Sequence, residues 1–453
     1  MNTLLHGKKV LIVGMARSGL SAAELLWKKG AKVTVSDRRS RQELEKEIGF
    51  LREREISYEV GAHREESFAS ADLIVVSPGV SLRLPQLQQA IRTGKEVISE
   101  IELASRFLQG KVIGVTGSNG KTTTTSLIGE ILKTAGFQVQ IGGNIGVALT
   151  SLVDRSSTET VNVVELSSFQ LEAIPTFRPD VALVLNVTSD HLDRYDSFEA
   201  YAQAKLNIFK NQTNFDLAVL NFEDQTLRRP LDAIRSSKFW FSADNEVEQG
   251  TYFDGKDLIF RLGDKREAVI SKESIRLRGK HNLENIAAAI TAARLVKAAS
   301  AKIAQAVTQF QGVEHRLELV AEIEGIQFYN DSKATNTDAT LKALEAFEAG
   351  IVLILGGRDK GSDFTVLSSL IKERVRHLIL LGEASEKIKL QLSGIVPTLQ
   401  AGSMDEAARF AFKQAAKGDV VLLAPACASF DMFQNYEHRG RAFKESVTRL
   451  MNR

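Results

Sequence analysis

The densest chemistry in this sequence lies at Gly117, Ser118, Asn119, Gly120, Lys121, Thr122 and Thr123, directly after the apolar run Val112, Ile113, Val115. A glycine-rich turn between strand and helix aims backbone N–H groups at a phosphate, and the helix N-terminus adds the positive end of its dipole. Lys121 would reach the β- and γ-phosphates of a nucleotide, and the Thr122 hydroxyl would sit on Mg²⁺. Val115 stands where GxxxxGK[ST] has its first glycine, so the pattern is TGxxGKT. A tight glycine turn with an exposed lysine is the plainer alternative, but it leaves the order of strand, glycines, Lys and Thr without a cause.

Further reactive side chains sit at the ends of other apolar runs. Glu165 closes Val161–Val164, where an acid beside a phosphate loop holds Mg²⁺; a strand-end acid facing solvent is the alternative. His191 is flanked by Asp190 and Asp193, and alone is as compatible with a structural histidine as with a metal ligand. Lys205 falls on the apolar stripe of a helix expected over 197–210, with Phe198, Tyr201, Ala202, Ile208 and Phe209. Such a lysine either snorkels or is neutralised, and a neutral amine can add CO₂ to become an anionic carbamate; long cationic side chains ordinarily snorkel. Asn282 and Asn285, one turn apart at an expected helix start, are either caps or readers of a base edge. Asp331, Lys333, Thr335, Lys360 and Ser429 gather at the C-terminal ends of strands in the last third, the ligand edge of an open α/β sheet. Cys427 has no nearby base and reads as a small buried thiol rather than a nucleophile.

The first turn, GMARSG, carries Gly14 and Gly19 but Ala16 where a dinucleotide fingerprint has its middle glycine. A Cβ there hinders approach to a pyrophosphate, which favours another nucleotide or sugar nucleotide over NAD(P), although Asp37 lies near the distance of a ribose-binding acid. Ser77 opens a turn at the end of another strand, and Arg38 and Arg39 are either phosphate contacts or a solvated turn.

The elements that must position these residues alternate between strand and helix, which gives an α/β protein with Rossmann-like sheets at both ends of the chain. The segment 211–280 changes to short strands and reads as peripheral sheet with little chemistry. At 453 residues, two to four domains are expected. Composition is that of an ordinary globular protein, 43% hydrophobic and 25% charged, and a net charge of +2 argues for neither nucleic acid nor anionic membranes. A single cysteine points to a reducing compartment; with no signal-like N-terminus and no apolar run near the roughly 20 residues of a membrane span, a cytoplasmic protein is expected.

Taken in order, TGSNGKT, GGNIG, ELSSFQLE, NVTSDHLDRY, YAQAKLNIF, GKHNLEN, EHR, NDSKATN and PACASFDMF resemble the Mur ligase family, the ATP-dependent amide-bond ligases of peptidoglycan precursor synthesis. The resemblance implies three domains: an N-terminal Rossmann-like domain over 1–100 for a UDP substrate, a central P-loop ATPase-like domain over 101–312, and a C-terminal Rossmann-like domain over 313–453 that receives an amino acid. It implies ATP contacts at Gly117–Thr123, Asn282, Asn285, Arg316 and Asp331, and catalytic roles for Lys121, His191 and Lys205. It implies Mg²⁺ held by Thr122 and Glu165, and a second ion held by His191 and a carbamylated Lys205, which reverses the snorkelling expectation. On the UDP side it points to Arg17, Ser18, Asp37, Arg38, Ser77 and Asn144, with His191 beside them; on the amino-acid side, to Lys333, Thr335, Lys360, Ser429 and Tyr436. Tyr436 replaces a phenylalanine expected there, and the GGRDKGSDF turn around Lys360 also departs from the pattern. NDSKATN, PACASFD and NYEHRG resemble the member that joins D-glutamate to UDP-N-acetylmuramoyl-L-alanine. A monomer is expected, with no nucleic acid and no membrane insertion. The competing expectations are a sibling ligase with another amino acid, an NAD-linked dehydrogenase, and a non-catalytic nucleotide switch in which Glu165, His191 and Lys205 would have no task.

Overall fold

The computed structural model describes residues 5–188, 194–229, 231–359 and 361–452. Their contacts divide into two compact units, one of residues 1–275 and 284–308, the other of 276–283 and 309–453.

The first unit holds two sheets. The smaller has the order Ser57–Val60, Lys32–Asp37, Lys9–Val13, Leu73–Val76, Glu96–Ser99, all parallel. Its central strands are runs of buried β-branched and leucine residues, as a sheet covered on both faces requires. Helix Arg17–Lys28 buries Ala22, Ala23, Leu25 and Leu26 against it. Gly14, with φ +102°, makes the turn between first strand and helix, and a Cβ on Gly19 would lie 1.9 Å from the Gly14 carbonyl oxygen. The two glycines therefore serve a tight strand–helix crossing.

Helix Glu100–Ser105 follows, capped by the Ser99 side chain. Two of its buried carboxylates reach the larger sheet's connections. Glu100 accepts from the Thr150 amide and hydroxyl, both at 2.7 Å, and Glu102 accepts from the amides of Thr176 and Phe177 at 3.0 and 2.7 Å. Burial pushes the Glu100 carboxyl up from its ordinary range, and the Thr150 bonds oppose that shift. These bonds tie both sheets into one unit.

The larger sheet runs Lys265–Ser271, Asp257–Leu262, Gly250–Phe253, Ser237–Ser242, Leu217–Asn221, Val181–Val184, Lys111–Thr116, Thr160–Glu165, Gln138–Gly143. The apolar run 181–187, expected as one central buried strand, forms Val181–Val184, which is central and wholly buried. The expectation for 211–280 needs correction: Leu217–Asn221 pairs on both sides and lies inside the sheet, and only the last strands are antiparallel additions.

In the second unit the order is Glu318–Ile323, Ile326–Asn330, Val420–Leu423, Ile351–Leu355, Val375–Leu381, Thr398–Ala401, parallel except for the first pair. Glu318–Ile323 is half-buried along most of its length, with Leu319 and Glu322 exposed, and its Val320, Ala321 and Ile323 pack against the core. Among the described residues no helix is long and apolar enough to cross a membrane.

Candidate functional site

The phosphate-loop candidate lies at the C-terminal end of strand Lys111–Thr116, whose neighbours on either side are Val181–Val184 and Thr160–Glu165. Gly120 precedes helix Lys121–Thr134 with φ +82°, and a Cβ there would stand 2.2 Å from Asn285 Oδ1. Both the backbone angle and the close approach demand glycine. Lys121 folds back over the loop, its Nζ donating to the carbonyls of Gly117 at 2.7 Å and Ser118 at 2.8 Å. Asn186, at the end of the neighbouring apolar run, accepts from the Asn119 amide at 2.8 Å and donates to its carbonyl at 3.2 Å. Sequence reasoning passed over Asn186; a polar amide closing an apolar strand was the available signal.

Glu165 stands opposite Val115 in the parallel register. It is 2% exposed, and Asn144 donates to its Oε1 at 2.8 Å, which brings a residue expected on the UDP side to the candidate metal acid. Its Oε2 is buried and finds no hydrogen-bond partner among the described residues. An orphaned buried carboxylate oxygen is costly unless a cation meets it, so the donor set of Glu165 with the buried Thr122 fits Mg²⁺.

Lys205 belongs to helix Phe198–Leu206, which the Ser197 hydroxyl caps. It is 2% exposed, which rules out snorkelling. Its Nζ donates to Gly117 O at 2.9 Å and lies 4.5 Å from the Tyr201 ring centre. Tyr201, buried on the same stripe, pairs its hydroxyl with Ser118 Oγ at 3.0 Å. His191 lies outside the described residues, as do Asp190 and Asp193.

Asn282 and Asn285 are not caps. The helix runs Lys280–Leu295, and both lie within it. Asn285 Oδ1 accepts from Thr124 Oγ1 at 3.3 Å, placing this amide against the phosphate-loop helix.

At the small sheet's ligand edge, Asp37 accepts from the Met15 amide at 2.8 Å and from Arg39 through its amide, Nε and Nη2 at 3.0, 3.1 and 2.9 Å. Burial raises this carboxyl, but the Arg39 and backbone bonds outweigh it and bring it down to about 2. Arg39 is thus a partner of Asp37 rather than a free solvated turn residue. Ser77 Oγ donates to Gly14 O at 3.1 Å, Arg17 donates to the Gly146 carbonyl, and Ser18 and Arg38 lie at the same edge, Arg38 exposed.

The second unit collects Asp331, Lys333, Thr335, Ser429 and Tyr436 around the ends of Ile326–Asn330 and Val420–Leu423; Lys360 lies outside the described residues. The Lys333 amine stands 5.2 Å from the Tyr436 ring centre. Burial pushes the Asp331 carboxyl up to about 6, against the pull of Arg316. Arg439, missed in the sequence, organises this edge. It is 2% exposed and donates to Ser332 Oγ and O, Cys427 O and Ala428 O at 3.0, 2.8, 3.0 and 3.3 Å, clamping two loops together. Its burial lowers the guanidinium to about 10. Cys427 is buried, and the same burial pushes its thiol up to about 12, as expected of an inert side chain.

Against known proteins, the chain matches three family models: a Mur ligase MurD-like N-terminal domain over residues 8–99, a Mur ligase middle domain over 115–293, and a Mur ligase glutamate ligase domain over 315–427. A UDP-N-acetylmuramoylalanine–D-glutamate ligase of Acidobacterium capsulatum is 51% identical over 445 residues, covering 98% of this chain and 96% of the relative. The ligase of the same name from Koribacter versatilis is 48% identical over 98% of each chain. Among solved structures, the MurF ligase of Thermotoga maritima in complex with ADP has a TM-score of 0.61 at 18% identity, covering 99% of this chain and 97% of that one. The UDP-N-acetylmuramate-alanine ligase of the same organism has 0.59 at 18%, covering 98% and 100%; both likenesses concern the fold.

Proposed function

The chain belongs to the Mur ligase family, and we propose that it is the member that joins D-glutamate to UDP-N-acetylmuramoyl-L-alanine at the expense of ATP. The observation that carries this reading is the near-full-length identity to ligases named for that reaction, 51% and 48%. The phosphate loop, Glu165 and buried Lys205 supply the chemistry such a reaction needs. The dehydrogenase alternative loses its basis with the family assignment, since only the first turn suggested it.

A carboxylate is a poor acyl donor because oxide is a bad leaving group. Transfer of the ATP γ-phosphoryl group to the L-alanine carboxylate would give an acyl phosphate. Attack by the D-glutamate amine then forms the amide and expels phosphate. Lys121 neutralises phosphate charge, and the Gly117–Thr123 backbone cradles it. Asn282, Asn285, Arg316 and Asp331 are assigned to the rest of ATP. Thr122 and Glu165 would hold Mg²⁺, with a second ion on His191 and a carbamylated Lys205; bound metal would offset the anionic charge of donor and nucleotide. Arg17, Ser18, Asp37, Arg38, Ser77 and Asn144 are assigned to the UDP substrate. D-glutamate carries two carboxylates, which suits Lys333, Lys360, Thr335, Ser429 and Tyr436. The three-domain division at 100 and 312, a cytoplasmic location and a monomeric state complete the reading.

The deciding assay is phosphate release with UDP-N-acetylmuramoyl-L-alanine, ATP and a panel of D- and L-amino acids. Turnover confined to D-glutamate is expected; preference for L-alanine or a diamino acid would transfer the chain to a sibling activity.

A further inference from the structure

Arg194 has no part in the assignments above, yet it connects two of the candidate sites in the first unit. Its guanidinium donates through Nη1 to Pro78 O at 3.2 Å and through Nη2 to Val80 O at 2.8 Å. These carbonyls belong to the turn opened by Ser77, whose hydroxyl is bonded to Gly14 O and whose amide donates to Val13 O at 3.0 Å. The same guanidinium lies 3.8 Å from the ring centre of Phe169, in the segment that follows Glu165. Tyr195 stacks on Phe169 at 5.8 Å, donates to Glu172 Oε1 at 2.5 Å, and stands 5.3 Å from the Tyr201 ring. Tyr201 in turn meets Ser118 of the phosphate loop. Packed side chains therefore run without a gap from the turn at the small sheet's ligand edge to the loop that would hold ATP.

We infer that Arg194 is a positioning residue for the reaction: it sets the turn 77–80, and with it the UDP substrate, at a fixed distance from the phosphate loop. The planar fork suits the task. Two donors reach two carbonyls while the flat face lies on Phe169, which a lysine cannot reproduce. Arg83 and Asp196 also pair across this seam, at 2.8 Å, but both are exposed and the pair is expected to add little. Misplacing reacting groups by about 1 Å can cost on the order of a hundredfold in rate.

This inference rests on the proposed function, and the test separates the two. With purified enzyme, Arg194→Ala and Arg194→Lys are compared with wild type and with Arg83→Ala as control. Expected for both Arg194 variants are a KM for UDP-N-acetylmuramoyl-L-alanine raised about tenfold and a lowered kcat, with the KM for ATP within about twofold. Lysine should recover only part of the loss. An unchanged KM for the UDP substrate, or an equal rise for ATP, overturns the inference; so does a loss of kcat alone with a lowered Tm, which marks a merely structural role. If wild type turns over no D-glutamate, calorimetric binding of UDP-N-acetylmuramoyl-L-alanine still reads Arg194. Failure of the wild type to bind it sinks both readings.

Discussion

The side-chain amines of Lys121 and Lys205 converge on one acceptor, the carbonyl oxygen of Gly117, at 2.7 and 2.9 Å. They arrive from different elements, the phosphate-loop helix and helix Phe198–Leu206. The Lys121 amine, held over the loop by the Gly117 and Ser118 carbonyls, makes a site suited to an anion. Adding ATP should therefore raise the Tm of the wild type, since a ligand at about 100 times its Kd stabilises by about 2.7 kcal/mol. Lys121→Ala should remove most of that shift and reduce turnover to background. Near-normal activity in this variant would end the ATP-site reading.

Lys205 is expected to carry a carbamate in the active enzyme. A buried amine favours the neutral form that adds CO₂. Intact-protein mass measured under bicarbonate should show one CO₂ added, and Lys205→Ala should abolish the addition. That variant should lose turnover and regain part of it with short-chain carboxylic acids. An unmodified Lys205 in a fully active preparation rejects the role.

The glycine turn between strand and helix, the apolar stripe that carries Lys205 and the polar residues at strand ends are legible in the sequence because each rests on local periodicity or a fixed spacing. The helix expected after the glycine turn forms as Lys121–Thr134, and the central strand expected over 181–187 forms as Val181–Val184. What stayed hidden depends on partners distant in sequence. Asn285 was readable as a cap, but it contacts Thr124 and Gly120 far upstream. The buried Arg439 sits in a helix whose pattern gives no sign of the carbonyls it clamps. Strand Leu217–Asn221 reads as peripheral in the sequence because short strands between turns look alike wherever they stand in a sheet.

Glu165 has one oxygen held by Asn144 and the other buried without a hydrogen-bond partner among the described residues. Glu165→Gln keeps the shape and removes the charge. It should fold with little change in Tm in the absence of metal, yet show a Mg²⁺ requirement shifted to higher concentration by tenfold or more, the effect of losing a charged ligand. Unaltered Mg²⁺ dependence of activity would assign the acid a purely structural place.

Asp331 makes a stability prediction with a definite sign. Its carboxyl titrates at about 6 in the fold against 3.8 ordinarily, because burial disfavours the charge more than Arg316 favours it. Between those values the folded protein holds a proton that the unfolded chain has lost. Stability therefore falls as pH rises through this window, and the penalty is complete above about pH 6. At 1.36 kcal/mol per pH unit the whole effect is about 3 kcal/mol. Asp331→Asn keeps an acceptor for the Leu317 amide, which now lies 3.3 Å from Oδ1, and removes the titration. Urea unfolding of the two proteins, paired at each pH from about 4 to 7, should show the variant gaining on the wild type as pH rises. A difference that stays constant, or that grows toward acid, contradicts a buried carboxylate held against its own solvation.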